Sequence, residues 1–180
     1  MLKVTIPASE DYDPIHNLFI EHKEQTLTLE HSLVSLSKWE SKFKKPYLSN
    51  EEKTIEETLD YIKFMTITPN VPDDVYHRIP YSVFTEIKDY IADPMSATTF
   101  SDEKNRKFKR ETITAELIYY WMIALGIPFE CQKWHLNRLL TLIRVCGIKS
   151  APQKNKSRRE ILNENRDLNA ARRKALGTRG

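Results

Sequence analysis

Cys131 and His135 stand four residues apart, and on one helix that spacing turns a thiolate and an imidazole to the same side, where they can hold a metal. A third ligand would have to be Cys146 or a distant histidine such as His31, and no second paired motif accompanies them. Free cysteine usually packs as a small buried hydrophobe, so packing is the preferred reading of Cys131, His135 and Cys146, with no metal expected. Glu30 and His31 are adjacent in a segment of helical period that continues into Trp39 and Glu40, and a carboxylate beside an imidazole can act as a general acid–base device. No nucleophile, second histidine or aspartate grouping accompanies the pair, so structural hydrogen bonding of a half-buried histidine is preferred. Glu51, Glu52, Glu56, Glu57 and Asp60 read as the solvated face of a helix, with negative charge favourably near its N-terminus. Gly-x-Ser-x-Gly, His-Glu-x-x-His and phosphate-loop patterns are all absent. The 180 residues include four glycines, all beyond residue 125, whereas a phosphate-cradling loop needs them clustered. The expectation is a protein that is not an enzyme and uses no cofactor.

Charge offers the other candidate. Residues 149–180 carry a net +7 within a chain of net +3, which leaves −4 for residues 1–148. Arg158, Arg159, Arg166, Arg172, Arg173 and Lys174 could neutralise phosphates in a salt-dependent, sequence-blind way. The tail has no aromatic residue on which a base could stack, and Glu160, Glu164 and Asp167 are interspersed, as in a salt-bridged helix that docks on an acidic partner. Protein contact is therefore preferred over nucleic acid for these six residues.

The elements that would position these residues read as mostly helical. Residues 2–6 alternate like a strand and form either an extended arm or a pair with another chain, since a lone strand cannot bury itself. Residues 8–15 read as a polar turn and 15–25 as a short helix. Leu29, Leu33, Leu36 and Phe43 then keep a helical period up to Pro46. Ser49 and Glu52 have capping-box spacing for a helix bearing Ile55, Leu59, Ile62 and Met65 on one face. Pro69 and Pro72 mark a connection. Pro80 opens a helix with a Val83, Ile87, Tyr90 and Ile91 stripe that ends by Pro94. Residues 95–110 read as a surface loop. Residues 111–125 are apolar on nearly every side, which predicts a buried helix ended by Gly126 and Pro128. Residues 129–146 follow as its antiparallel hairpin partner, with Gly147 as the C-terminal cap. A polar linker, 148–157, precedes a second capping box, Ser157 and Glu160. It opens a helix whose thin stripe is Ile161, Leu168, Ala171 and Ala175, and which ends near Leu176-Gly177. This assembles a mainly α fold: a compact helical domain with an N-terminal extended arm over 1–148, then a basic helical tail over 149–180.

The hydrophobic fraction of 40%, with 10% aromatics, suffices for a core and argues against wholesale disorder. The first residues hold no apolar signal-like core, and no run approaches the roughly 18 apolar residues of a membrane span. Two cysteines suit reduced thiols rather than a disulfide framework.

LTLEHSLVSLSKWESKF at 27–43, TIEETLDYIKFMT at 54–66, ITAELIYYWMIALGIPFECQKWHLNRLLTLIRVC at 113–146 and RDLNAARRKALGTRG at 166–180 together resemble a family of small tailed-bacteriophage proteins, the tail assembly chaperones. The resemblance covers most of the chain, and the aromatic-rich block from 119 to 143 is its distinctive part. It implies a non-enzymatic helper that binds the tape-measure protein in the host cytoplasm, keeps it soluble, and leaves as tail-tube proteins polymerise. A homo-oligomer is implied, and membrane association is not. The alternatives are a structural component of the phage tail or baseplate retained in the virion, and a nucleic-acid-binding protein acting through the basic tail.

Overall fold

The computed structural model describes residues 1–13, 15–100, 112–150 and 158–177. The backbone groups into two units, Met1–Lys149 and Ser150–Gly180. The mainly α expectation fails: helix accounts for 54% and strand for 14%, so the fold is mixed α/β, with seven helices and two antiparallel two-stranded sheets among the described residues.

The strands account for the difference. β1 (Leu2–Ile6) pairs antiparallel with β4 (Gln25–Leu29), and β2 (Ser9–Asp13) with β3 (Leu18–His22). Leu2↔Leu29, Ile6↔Gln25, Ser9↔His22 and Asp13↔Leu18 all keep one register, so the two sheets are stretches of a single long hairpin. The interruption falls at Pro7 and Ala8, where proline lacks the N–H a ladder needs. Asn17, in the left-handed region at φ 53°, turns the chain at the tip. The expected free arm at 2–6 is therefore paired within the chain. The expected turn and short helix at 8–25 are the outer hairpin.

Alternation decides the inner half. Val4, Ile6, Leu27 and Leu29 face inward and are buried, while the Thr5 and Thr26 hydroxyls meet at 3.3 Å on the outer side. The far edge of β4 is also used, since Thr28 C=O accepts from Ile67 N–H at 2.8 Å and Met65 C=O accepts from Glu30 N–H at 2.9 Å. This pairing makes Leu27 and Leu29 strand residues instead of the start of a helix.

Helix α1 (Leu33–Phe43) opens with a Ser32–Ser35 capping box and stops at Lys44, which is left-handed at φ 55°. Helix α2 (Ile55–Met65) is capped by Thr54 and Glu57, not by Ser49 and Glu52. The same T/S-x-x-E spacing recurs five residues on, and there Glu57 also accepts from Lys45 Nζ at 2.8 Å while its C=O receives Trp39 Nε1–H at 2.8 Å. The Lys45 ammonium holds the Glu57 carboxyl below the usual range. Short α3 (Asp74–His77) precedes α4 (Tyr81–Ala92), whose Ile87 and Tyr90 are buried as the stripe predicted.

Helix α5 (Ala115–Ala124) buries Ala115, Ile118 and Met122 only; Tyr120 and Ile123 are 62% and 65% exposed, so the helix is not buried all round. Gly126 (φ 65°) ends it as expected. Residues Phe129–Lys133 form a 3₁₀ turn, and α6 (Leu136–Ser150) begins afresh after extended Trp134. Gly147 lies inside α6 and caps nothing. The expected two-helix hairpin is replaced by a three-way contact: Ile118 and Met122 of α5 and Leu136 and Leu139 of α6 form one cluster with Leu33 and Leu36 of α1. Trp39 of α1 belongs to a second cluster with the strands, α2 and α4.

Glu40 ties these parts together. This buried carboxylate accepts from Tyr47 N–H at 2.8 Å and from Ala115 N–H, the first residue of α5, at 2.7 Å. Glu40→Ala strands the buried Ala115 N–H and the half-buried Tyr47 N–H and is expected to lower unfolding stability by about 2–4 kcal/mol in urea titration. Glu40→Gln keeps one acceptor and loses less; equal stability of all three proteins would remove Glu40 from this role.

By itself, the second unit is described as α7 (Arg158–Leu176), ended by Gly177 at φ 64°. Residues 101–111 and 151–157 lie outside the described residues, and with them most of the expected surface loop, most of the polar linker and the Ser157 half of the second capping box.

Candidate interaction surfaces

The acid–base candidate comes apart in the structure. Glu30 and His31 lie in the link between β4 and α1, not on a helix. Glu30 Oε1 accepts from the Tyr90 hydroxyl at 2.8 Å, whereas His31 Nδ1 lies 2.5 Å from the Tyr61 hydroxyl. His31 is 2% exposed and its ring meets that of His135 edge-on at 5.0 Å. His135 Nε2 donates to Tyr90 C=O at 3.0 Å, because a carbonyl can only accept. Its Nδ1 is buried and, among the described residues, has no hydrogen-bond partner. Both histidines thus stitch the crossing where Leu136 N–H donates to His31 C=O at 2.7 Å.

Cys131 is buried in the 3₁₀ turn, His135 precedes α6, and Cys146 is half-buried within α6, so the three do not share a helix. Among the described residues no three histidine, cysteine or carboxylate side chains are grouped to hold a metal ion.

Of the six expected partner-binding residues, Arg159, Arg166, Arg172, Arg173 and Lys174 are exposed on α7, and Arg158 is its first residue. At 100° per residue, Arg159, Leu162, Arg166, Asn169, Arg173 and Leu176 follow one line along the helix. Leu162 and Leu176 are 60% and 75% exposed on that line. The basic residues are therefore interleaved with apolar ones, an order the net charge alone does not reveal.

Two further surfaces escaped the sequence reading. The first is the outer hairpin, where Tyr12, Leu18, Phe19 and Ile20 all stand exposed and the Tyr12 and Phe19 rings pair at 5.2 Å. Its base is tied to α3: His22 Nε2 lies 3.2 Å from Asp11, its Nδ1 lies 3.4 Å from Asp74, and Arg78 bridges Asp74 at 3.2 Å and Ser9 Oγ at 3.4 Å. The available signal was the β-rich Leu-Phe-Ile run after a Pro14/Asn17 turn. The second is the outer line of α5, with Tyr120 and Ile123. A groove of about 520 Å³ between α1, α2 and α3 is crossed by the Lys42–Asp60 and Lys63–Asp73 ion pairs and has Leu59 and Tyr76 among its lining.

The buried histidine predicts a pH response. Burial, reinforced by the charge of neighbouring His135, pushes the His31 pKa down to about 3. The unfolded chain takes up this proton near pH 6.5 and the folded chain does not, so the stability is whole above that value. It declines as pH falls toward 3, by about 1.4 kcal/mol per pH unit from this group. His31→Asn should flatten the acid limb of urea midpoint against pH; identical limbs for the two proteins would refute the assignment.

No protein-family model matches the chain, and neither a curated protein nor a solved structure matches it.

Proposed function

We propose that this chain is a non-enzymatic phage tail assembly chaperone that binds the tape-measure protein during tail morphogenesis in the host cytoplasm. The observation that carries the reading is the outer line of α5, a helix of almost wholly apolar sequence that leaves Tyr120 and Ile123 open to solvent. An apolar helix face open to water is the natural counterpart for a long apolar helical client. Ile118 and Met122 root the opposite side of α5 in the core, so the open face is presented on a fixed element instead of a loop. The YYWM block that carries the family resemblance is the same helix.

Co-expression with the tape-measure protein encoded nearby tests this. The wild-type chain should raise the soluble fraction of the client several-fold and co-purify with it. Tyr120→Ser with Ile123→Ser should remove most of that gain while leaving the circular dichroism unchanged, since both positions are solvent-facing. A client equally insoluble with and without the chain, or unaffected by the double variant, defeats the proposal. Stoichiometric recovery of the chain in purified particles would instead favour a structural tail component.

A further inference from the structure

We infer that the outer hairpin is a docking site for the α7 helix of a second copy of this chain, which makes self-association head-to-tail. The opposed pairs of the hairpin alternate between its faces, so Glu10, Glu21, Tyr12 and Phe19 share one face and Asp11, His22 and Ile20 the other. The second face is tethered to α3 through Asp11, His22 and Asp74. Among the described residues the first shows no such tie. On it Glu10 sits directly opposite Glu21, both exposed, and among the described residues neither has an ion-pair partner. Like charges directly opposed destabilise a strand pair, and an isolated two-stranded ribbon has little stability to spare. A cation brought between these carboxylates relieves that repulsion, and the Tyr12–Phe19 ring pair beside them offers apolar and cation–π contact.

The chain itself carries the complement. Residues 9–24 hold Glu10, Asp11, Asp13, Glu21 and Glu24 against Lys23, a net −4, whereas residues 158–176 hold a net +3. The Arg159–Leu162–Arg166 line on α7 places a basic, an apolar and a basic side chain about 4.5 and 6 Å apart along the helix axis. The carboxylate pair and the ring pair of the hairpin are two residues, about 7 Å, apart along the strands. Leu162 can therefore lie on the Tyr12–Phe19 rings while an arginine reaches the Glu10–Glu21 pair. The hairpin and α7 are different surfaces, so the contact is heterologous and propagates into an open chain or closes into a ring. This inference does not rest on the chaperone reading, since no client takes part.

Sedimentation velocity of the full chain over a range of concentrations, at low and high salt, tests it. The wild-type protein should assemble with concentration and dissociate as salt rises. Glu10→Lys with Glu21→Lys should weaken assembly at least tenfold, as should Arg159→Glu with Arg166→Glu; all four positions are solvent-facing, and circular dichroism checks the fold. The two sets combined in one chain should restore assembly. A monomer at every concentration, assembly indifferent to either reversal, or no rescue by the combination would overturn the inference. So would a monomer whose α7 arginines instead retain a short DNA or RNA duplex on a filter at low salt.

Discussion

The buried carboxylate of Glu40 is the constraint on which the first unit depends. It sits near the end of α1, the helix whose Leu33 and Leu36 belong to one apolar cluster and whose Trp39 belongs to the other. A charged group enters a protein interior at a cost that only good hydrogen bonds offset. Glu40 has two, from Tyr47 N–H just beyond its own helix and from Ala115 N–H at the opening of α5. The second places negative charge on a helix N-terminus, where the unpaired N–H groups and the helix dipole both favour it. One side chain thereby ties the turn after α1 to the opening of α5, although 75 residues separate Glu40 from Ala115. The orientation of the apolar α5 face follows from that anchor.

A second polar junction works in the same way at the other end of α1, where Ser32 bridges to His135. His135 and Asn137, at the opening of α6, take up the C-terminal carbonyls of α4: Tyr90 C=O by the imidazole, and Ile91 C=O and Asp93 C=O by the amide at 3.0 and 2.7 Å. Helix ends need partners of this kind when they are buried. The adjacent His31 is held against Tyr61, so the interior between the two clusters is polar and specific rather than a single greasy core. Residues that look like an acid–base pair in one dimension, Glu30 and His31, turn to different tyrosines because the link between strand and helix is extended and points successive side chains apart.

What was legible in the sequence was local. The α4 stripe, the strand at 2–6, the Gly126 stop and the Leu176-Gly177 end all depend on neighbours within a turn or two, and the structure has each of them. The hairpin from 2 to 29 was not legible, because its evidence is the common register of residues up to 27 apart, and its outer half buries nothing that would impose alternation. Leu27 and Leu29 fit a helical period by arithmetic alone, yet the β1 edge and the Thr66–Thr68 segment claim them as strand. Capping boxes are common enough that spacing cannot choose between Ser49–Glu52 and Thr54–Glu57; Lys45 and Trp39, both distant in sequence, make the choice. Uniform apolarity on α5 suggested burial, but such a pattern states only that no side is polar. It cannot tell a side that is covered by this chain from a side that is left uncovered.

That last distinction bears on how the candidate surfaces arose. An exposed hairpin with opposed carboxylates and an aromatic pair is locally inconsistent: strand pairing, charge and burial do not favour the same state. So is a helix that shows Tyr120 and Ile123 to water. Inconsistencies of this kind concentrate where a protein meets something else, since selection for contact tolerates them and selection for stability alone removes them. The two surfaces differ in kind, one purely apolar on a rooted helix and the other acidic and aromatic on a tethered ribbon, so a single ligand does not satisfy both. A chain that binds an apolar helix through one and its own basic helix through the other would line copies along a client, with the client contact and the copy-to-copy contact carried by separate elements.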